Sequence, residues 1–520
     1  MGDLVADLRA SAEECIETHI SWVLLHSTEV FKLKKPVDFG FLDFTQASSR
    51  KAACEAEVVL NSRLAPGIYR GVLPVRRDGA GVHRVAAEGE GTIVDHVVHM
   101  ERLPVEARAD LRLERGELSG ADIDRVAQRL ARFHEGAERS AAISEFGSVE
   151  VIRRNVEENF VQARTLLRQV AGEALEREVE ERQQEFLRAN VERFAARIEG
   201  GFVRDGHGDL RLEHVYLVPD REPVVIDCIE FNERFRYADV CADIAFLSMD
   251  LAWFGRPDLE ERLLAAYARA TGDYDLYALV DFYQSYRAYV RAKVNALSLA
   301  SSAFDFAARA KAEADARRYL LVALAAERPA LAAPRLIAVG GMIASGKSSV
   351  ADALGERLSL PVIASDETRK RMLGVTPTTP LRDGPWQAAY SADATERVYA
   401  ELLRRARVVL ESGRSVVVDA TFSRRSQRAC ARAVAQATGA GFSFVECCTS
   451  EAVARARLAA RAQGPSVSDG RSEIYAELAA RYAPVAELPR SEHISLDTGA
   501  ALERSLEQLE RAGLNGRTRP

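Results

Sequence analysis

The chain of 520 residues contains no apolar run near the roughly 18 residues that a transmembrane helix requires. Its first residues lack the basic start and the apolar stretch of a secretion signal. The seven cysteines are an odd number, and no pair has the spacing of a zinc knuckle or a C-x-x-C motif. These absences predict a cytoplasmic protein without disulfides, structural zinc or membrane contact.

Lysine is scarce, since only eight of the 70 basic residues are lysine. Where arginine is the default cation, a lysine indicates that a compact ammonium group is needed. Lys347 and the group Lys32, Lys34 and Lys35 therefore stand out as candidate functional residues.

The net charge of −7 is unevenly distributed along the chain. Residues 334–520 carry 26 Lys and Arg against 21 Asp and Glu, a balance of +5, which leaves −12 for the rest. A mildly basic C-terminal part suits phosphate-rich ligands. The acidic remainder and the lack of a basic stripe with interleaved aromatic residues disfavour nucleic acid as a partner. No pattern in the sequence indicates an oligomeric state.

The length predicts at least two domains. An Ala/Pro-rich stretch at 323–334 suggests a first domain over 1–325, a linker over 326–334 and a second domain over 335–520. The first domain divides into a small α+β lobe over about 15–103 and a mainly helical lobe over about 120–325. In the second domain, short apolar strands alternate with helices, a pattern typical of an α/β fold with a buried parallel sheet.

A glycine-rich segment follows the first predicted strand of the second domain. Its sequence is Gly341-Met342-Ile343-Ala344-Ser345-Gly346-Lys347-Ser348-Ser349. Glycines let such a loop curl so that backbone N–H groups surround phosphate oxygens at a helix N-terminus. Lys347 is expected to reach the β- and γ-phosphates of ATP, and the Ser348 hydroxyl to hold Mg²⁺.

Two carboxylates follow the next strands of the same sheet. Asp366 comes directly after the second strand, where it can accept the proton of an attacking hydroxyl, and Arg369 one turn later can hold the acceptor or its phosphate. Asp419 ends the Val416–Val418 strand, where it can order Mg²⁺ or position the substrate. The alternative for Asp366 is a helix N-cap.

Arg457 and Arg461 lie four residues apart on a predicted helix that leads into the segment 463–466. Two arginines just before this loop are typical of a lid that closes on ATP and stabilises charge on the transferring phosphoryl group. The alternative is a solvated helix face, because arginine is so common in this chain.

These residues together resemble the small P-loop kinases of the polynucleotide kinase, zeta-toxin and gluconate kinase type. The resemblance runs through nearly all of residues 335–512. It implies that Asp366 is the base that activates the acceptor hydroxyl. Acceptors in the group range from sugars to nucleic-acid ends.

A second set of phosphotransfer residues lies in the middle of the chain. It begins with His207-Gly208-Asp209 and continues with His214 and Asp227. Asp209 would orient or deprotonate an acceptor, while Asp227 and His214 would hold Mg²⁺ against ATP. In the small lobe, Lys32 lies on a predicted strand where it can reach the α- and β-phosphates, and Glu57 on the next helix can pair with it.

This set resembles the aminoglycoside phosphotransferase and choline kinase branch of the protein-kinase-like fold, over roughly residues 15–325. The resemblance implies that Asp243 supports the catalytic loop. Three features depart from it: His214 replaces the metal-ligand Asn, Arg211 replaces the second His, and no Gly-rich loop covers the phosphates. An inactive kinase-like scaffold is therefore the alternative.

With these two domains in this order, the chain resembles a bacterial family of two-domain proteins described as aminoglycoside phosphotransferase-like and ATP-binding. The leading hypothesis is an ATP- and Mg²⁺-dependent phosphotransferase with two modules that acts on hydroxyl groups of small molecules, with an aminosugar as one class of acceptor. One alternative is a kinase of nucleic-acid 5′-hydroxyl ends. The other is a nucleotide-sensing protein with an inactive N-terminal half.

Overall fold

The computed structural model describes residues 2–38, 40, 42–299, 305–328, 330, 332–381, 388–461 and 474–514. Two compact units divide the chain. Unit 1 comprises Met1–Asp250 and Tyr286–Leu321, and unit 2 comprises Leu251–Ser285 and Val322–Pro520. The predicted linker over 326–334 stays a prediction. The sequence assigned residues 251–285 to the first domain, but the contacts of these residues place them in unit 2.

Unit 1 begins with a sheet-rich lobe and continues with helices. Strands β1 to β10 are Glu14–Glu17, Ser21–Leu25, Glu29–Lys34, Tyr69–Arg77, His83–Val85, Thr92–Glu101, Val203–Asp205, Val215–Tyr216, Val224–Val225 and Tyr237–Asp239. Helices α1 to α10 are Gly2–Ser11, Ala47–Ser62, Ala109–Glu114, Gly120–Gly136, Ala141–Ser144, Val149–Ala171, Glu173–Ala189, Val191–Glu199, Glu233–Arg236 and Val240–Trp253. Helix α11, Pro257–Thr271, belongs to unit 2, and helices α12 and α13, Val280–Ser298 and Phe306–Ala326, have residues in both units.

The small lobe is a six-stranded antiparallel sheet with the order β1-β2-β3-β6-β4-β5, against which α2 packs. The consecutive residues Val97 and Val98 of β6 are both fully buried, and successive residues of a strand face opposite sides of a sheet. Val98 belongs to one apolar cluster and Val97 to another, so both faces of the sheet are covered here. Its core contains Val30, Cys54, Ile68, Val98 and Met100. The sheet and α2 confirm the α+β lobe expected from the sequence.

The helical lobe follows the 3.6-residue apolar period. Helix α4 begins with a capping box, in which Ser119 Oγ accepts from Asp122 N and the Asp122 side chain accepts from Ser119 N. Its buried side chains include Ile123, Val126 and Leu130, spaced three and four residues apart.

Short 3-10 turns connect the elements of the chain at Val105–Ala107, Glu145–Gly147, Leu212–His214, Tyr274–Ala278 and Ala388–Tyr390.

Unit 2 contains a parallel sheet of five strands in the order β12-β13-β11-β14-β15. Strands β11 to β15 are Arg335–Gly341, Val362–Ala364, Val416–Asp419, Gly441–Cys448 and His493–Asp497. Helices α14 to α20 are Lys347–Leu358, Ser365–Met372, Ala392–Glu411, Arg425–Ala437, Glu451–Arg461, Tyr475–Arg481 and Leu502–Arg511. Strand β13 is buried throughout, as the continuous valine run predicted. The parallel α/β fold is confirmed.

Within the described ranges, no helix combines the length and the apolarity that crossing a bilayer requires.

Glu260 on α11 gives unit 2 a pH-dependent stability. Burial raises the pKa of this carboxyl above its ordinary value of 4.5, and the neighbouring Glu261 raises it further. A raised pKa in the folded state contributes stability that is full below about pH 4.5 and is lost as pH rises through the folded pKa. We therefore expect Glu260→Gln to unfold at a higher temperature than the wild type, with a difference that widens from pH 5 to pH 8.

Thermal unfolding of both proteins at several pH values measures this difference. Glu396→Gln changes an exposed glutamate on α16 and is the matched control. A difference in unfolding temperature between wild type and Glu260→Gln that stays constant with pH would contradict a raised pKa of Glu260 in the folded state.

Candidate active sites

The P-loop backbone in unit 2 requires glycine at two positions. Gly341 has a φ of +140°, and a Cβ there would lie 2.4 Å from the carbonyl oxygen of Cys447. Gly346 has a φ of +86° and immediately precedes α14, which begins at Lys347. The segment therefore joins a buried strand to a helix N-terminus, the geometry that presents backbone N–H groups to phosphate.

Lys347, Ser348 and Asp419 lie together at the carboxyl edge of the sheet. Asp419 is buried at the end of β13, and Lys347 and Ser348 are close enough to lower the pKa of its carboxyl. Burial raises the pKa of Asp419 to about 6, and the nearby Asp366 and Asp352 raise it as well, against the lowering effects of Lys347 and Ser348. Among the described residues, Asp419 Oδ1 has no hydrogen-bond partner.

This unpartnered oxygen fits an Mg²⁺ site that is completed by phosphate oxygens. No three His, Cys, Asp or Glu side chains converge on a metal site within the described part of the chain. Mg²⁺ in phosphotransferases is usually held by one or two carboxylates together with substrate phosphates and waters, so the pair Ser348 and Asp419 is a sufficient protein contribution.

Asp366 lies in the first turn of α15, while Ala364 occupies the N-cap position without a side-chain cap. The N-cap alternative for Asp366 therefore does not match the structure. Arg369, one turn later, is buried and donates from NH1 to the carbonyl oxygen of Ala389 over 2.5 Å. Its guanidinium lies 4.6 Å from the ring centroid of Tyr390, and its Nε has no partner among the described residues.

Arg457 contacts the P-loop itself. It donates from NH1 to the carbonyl oxygen of Ala344 over 3.3 Å and from NH2 to that of Thr498 over 2.6 Å. Arg461 ends the same helix, α18, but its side chain and the predicted lid segment 463–466 lie outside the described residues.

Sequence reasoning missed three residues around this site. Thr498 Oγ1 lies within hydrogen-bonding distance of the carbonyl oxygens of both Ser345 and Cys448, and its one hydrogen can bond to either, which ties the P-loop to the end of β15. Tyr399 on α16 hydrogen-bonds through its hydroxyl to Thr421 Oγ1 and accepts from the backbone N–H of Phe422. The strand-end positions of Thr421 and Thr498 were the available signal, since ligand sites in parallel sheets lie at carboxyl ends.

In unit 1, the predicted catalytic loop is built around Asp243. Its carboxylate accepts hydrogen bonds from the backbone N–H groups of His207 and Gly208 over 2.6 and 2.8 Å, and lies 3.3 Å from His134 Nε2. Burial alone would raise the pKa of Asp243, but these hydrogen bonds and the two histidines hold it below its ordinary range. Asp243 thus has the supporting position that the resemblance implied.

Asp209 in this loop is held by Arg211. The guanidinium donates from Nε and NH2 to the two carboxylate oxygens over 3.1 and 3.2 Å. Burial would raise the pKa of Asp209, but Arg211 and then His214 lower it to about 2. A carboxylate paired in this way is a weaker base than a free one.

His214 lies between the two carboxylates of the site. Its Nδ1 is 2.8 Å from the carbonyl oxygen of Asp209, which makes that nitrogen the donor, and its Nε2 is 3.3 Å from Arg211 NH2 and 3.5 Å from Asp227 Oδ2. Burial and then Arg211 lower the pKa of His214 to about 4, so the ring is neutral at neutral pH. Nε2, the ring nitrogen that faces Asp227, therefore also contacts the guanidinium of Arg211.

The lysines of β3 form a buried ion-pair network. Lys32 Nζ lies 2.8 Å from Glu57 Oε1 and 2.6 Å from Asp227 Oδ1, so the predicted lysine, glutamate and metal-ligand aspartate are adjacent. Lys34 is fully buried between Glu57 and Glu230, an arrangement that sequence reasoning did not assign. The scarcity of lysine was the signal for it.

Two family models match the chain. The model described as "Phosphotransferase enzyme family" matches residues 40–283, and the model described as "AAA domain" matches residues 336–485. A gluconokinase from Sinorhizobium meliloti 1021 aligns at 22% identity, covering 36% of this chain and 93% of its own, with a TM-score of 0.25. A choline/ethanolamine kinase family protein from Mesorhizobium loti aligns at 14% identity, covering 60% and 92%, with a TM-score of 0.33.

The chain is thus a two-domain protein with a phosphotransferase domain followed by a P-loop kinase-like domain. Uncharacterized proteins of Mycobacterium tuberculosis and Mycobacterium bovis are 37% identical to it over 496 residues, which cover 95% of this chain and 93% of theirs. It belongs to the same two-domain family as these mycobacterial proteins.

Proposed function

We propose that the protein is an ATP- and Mg²⁺-dependent phosphotransferase for hydroxyl groups of small molecules, and that unit 2 carries the reaction. The observation that supports this most is the grouping of Lys347, Ser348 and Asp419, with Asp366 close enough to raise the pKa of Asp419. One edge of the sheet then offers a phosphate cradle, an ammonium group, a metal position and a separate carboxylate.

The residues divide the reaction between them. The P-loop N–H groups and Lys347 would hold the ATP phosphates, and Ser348 with Asp419 would hold Mg²⁺, which would neutralise negative charge on the phosphates. Asp366 would accept the proton of the acceptor hydroxyl as its oxygen bonds to the γ-phosphorus. The bond from that phosphorus to the bridging oxygen breaks, and ADP leaves with the electron pair.

Arg369 narrows the class of acceptor at this site. It is a buried guanidinium whose hydrogen-bond partner among the described residues is a carbonyl oxygen, and its Nε is unpartnered. A buried cation with no carboxylate partner among the described residues favours a ligand that brings an anionic group, because an unpaired buried charge is costly. We therefore expect an acceptor with a carboxylate or phosphate at this site rather than an aminosugar.

The test is a mass-spectrometric screen for the gain of one phosphoryl group. The full-length protein with Mg·ATP would be offered hydroxylated acids, sugar phosphates, neutral sugars, aminosugars and a 5′-hydroxyl oligonucleotide. Phosphorylation of an anionic small molecule is the expected result. A product formed only from aminosugars would contradict the role of Arg369, and one formed only from the oligonucleotide would establish the nucleic-acid alternative. No product from any compound would overturn the proposal.

A second candidate function applies to unit 1, where the pairing of Asp209 with Arg211 and the neutral His214 favour nucleotide sensing over catalysis. In Lys347→Ala, where the P-loop site is disabled, unit 1 is then expected to bind a fluorescent ATP analogue without turning ATP over. Adding Lys32→Ala should abolish that binding. Turnover by Lys347→Ala that disappears in Asp209→Asn/Lys347→Ala would show a catalytic unit 1 instead.

A further inference from the structure

Residues 251–285 are shared between the two halves of the chain. The phosphotransferase family model extends to residue 283, yet Leu251–Ser285 packs within unit 2. The segment contains α11 and the 3-10 turn Tyr274–Ala278. Unit 2 therefore includes a helix that the P-loop family match, which begins at residue 336, does not cover.

Arg269 on α11 joins the two helices that begin at the candidate active site. Its Nε and NH2 donate to the Glu367 carboxylate over 2.7 to 3.2 Å, and its NH1 donates to Asp352 Oδ1 over 2.7 Å. Glu367 follows Asp366 directly on α15, and Asp352 lies on α14, whose first residue is Lys347. One guanidinium thus links the helix of the nucleotide lysine to the helix of the candidate base.

Further hydrogen bonds hold α15 against the end of α11. Arg371 donates to the carbonyl oxygens of Arg269, Ala270 and Thr271 over 2.7 to 3.0 Å. Gly272, which follows α11, has a φ of +77°, and a Cβ there would lie 2.7 Å from the Arg371 side chain. The side chain of Arg371 therefore occupies the space beside this glycine.

The segment 251–285 also contacts β12, the strand before α15. The hydroxyl of Tyr274 donates to the carbonyl oxygen of Val362 over 2.6 Å. Tyr274 is buried, so the contact is shielded from water. Both β12 and α15 are thus attached to the segment 251–285.

Helix α15 needs such support. It has eight residues, and no side chain caps its N-terminus. A helix of this length is not stable by itself, and a missing cap weakens it further. Asp366 and Glu367 are adjacent, with Asp352 and Asp419 nearby, so like charges collect where the base must be positioned. Arg269 pairs with two of these carboxylates.

We infer that Arg269 is a positioning residue for phosphoryl transfer at the P-loop site, and that α11 is a working part of that site although it belongs to the preceding family match. The inference rests on the proposed function of unit 2. Arg269 acts through Glu367 and Asp352 and touches no reacting atom. Its loss is expected to lower kcat while the KM for ATP stays nearly constant, because Arg269 contacts α14 at Asp352, more than one turn beyond Lys347.

The experiment compares full-length wild type, Arg269→Gln and Arg269→Lys. Arg256→Gln is the matched control, since Arg256 makes an exposed bidentate pair with Asp258 at the start of the same helix. Hydrogen exchange of the peptide spanning 362–373 reports the stability of α15, and hydrolysis of Mg·ATP without added acceptor reports the reaction with water as the acceptor.

In Arg269→Gln we expect about tenfold faster exchange in this peptide and about tenfold lower kcat, with the KM for ATP within about twofold of wild type. Arg269→Lys should recover part of both losses, and Arg256→Gln should resemble the wild type. Unchanged exchange or unchanged kcat in Arg269→Gln, in a wild type that is active, would overturn the inference alone. A wild type that hydrolyses no Mg·ATP and phosphorylates none of the acceptors of the screen would instead overturn the proposed function, and the inference with it.

Discussion

Replacement of Asp366 by asparagine is expected to lower acceptor phosphorylation by about 10²- to 10⁴-fold, the usual contribution of a general base. Asparagine keeps the size and polarity of the side chain but cannot accept the hydroxyl proton. Because Asp366 lies on α15 while the P-loop lies between β11 and α14, ATP affinity should change little. The effect should therefore appear in kcat and not in nucleotide binding.

Steady-state kinetics with the acceptor identified by the screen, together with titration of a fluorescent ATP analogue, measure both quantities. Asp393→Asn, at an exposed aspartate in the first turn of α16, is the matched control. An Asp366→Asn protein with wild-type kcat would remove Asp366 from the base role and leave Asp419 as the remaining carboxylate of the site.

The second large effect is expected on stability, at Arg414. This buried guanidinium donates from Nε to both Glu261 oxygens over 2.8 and 2.9 Å, and from NH2 to Asp281 Oδ1 over 2.8 Å. It lies 5.6 Å from the ring centroid of Tyr277. Replacement by methionine preserves much of the volume but removes the guanidinium from both carboxylates. Removing one partner of a buried pair typically costs about 3–5 kcal/mol.

The midpoint of urea unfolding, followed by a probe in unit 2, measures this loss. Arg404→Met is the control, because Arg404 is about half exposed and pairs with Asp275 and Glu401 at the surface. Exposed pairs contribute at most about 1 kcal/mol, so the control should shift the midpoint only slightly. Equal shifts in the two variants would show that the Arg414 network is not the stabilising contact described above.

The P-loop and the five parallel strands could be predicted because their signals are local. Gly341 to Ser348 are contiguous in sequence, and each strand is a short apolar run bounded by helical segments. The same holds for the catalytic loop of unit 1, where Asp209 and Asp227 lie in one irregular segment. In these places, residues that lie close together in the structure are also close together in the sequence.

The remaining contacts join residues far apart in the sequence, which composition and periodicity do not connect. Arg269 reaches Glu367 across 98 positions, and Thr498 reaches Ser345 across 153. Arg269 gave no signal of its own, because arginine is common throughout the chain and no motif surrounds it. The scarcity of lysine did single out Lys32 and Lys34 as candidate functional residues, and both lie in the buried ion-pair network of β3, where the sequence did not predict the contacts of Lys34.

Arg211 illustrates a different limit. The sequence showed that it replaces a histidine of the related kinases, but not that its guanidinium would hold Asp209 through both oxygens. That contact depends on the fold of residues 209–214, where the 3-10 turn Leu212–His214 follows Arg211. The role of unit 1 therefore rests on side-chain geometry and not on the motif.

The most direct test of the account compares Lys347→Ala and Asp209→Asn in the full-length protein, with Lys311→Ala as a control at an exposed lysine. ATP turnover and product mass are measured for all three with the acceptor that the wild type phosphorylates. We predict that product formation is lost in Lys347→Ala and retained in Asp209→Asn and Lys311→Ala. Loss in Asp209→Asn with retention in Lys347→Ala would contradict the account and place the reaction in unit 1.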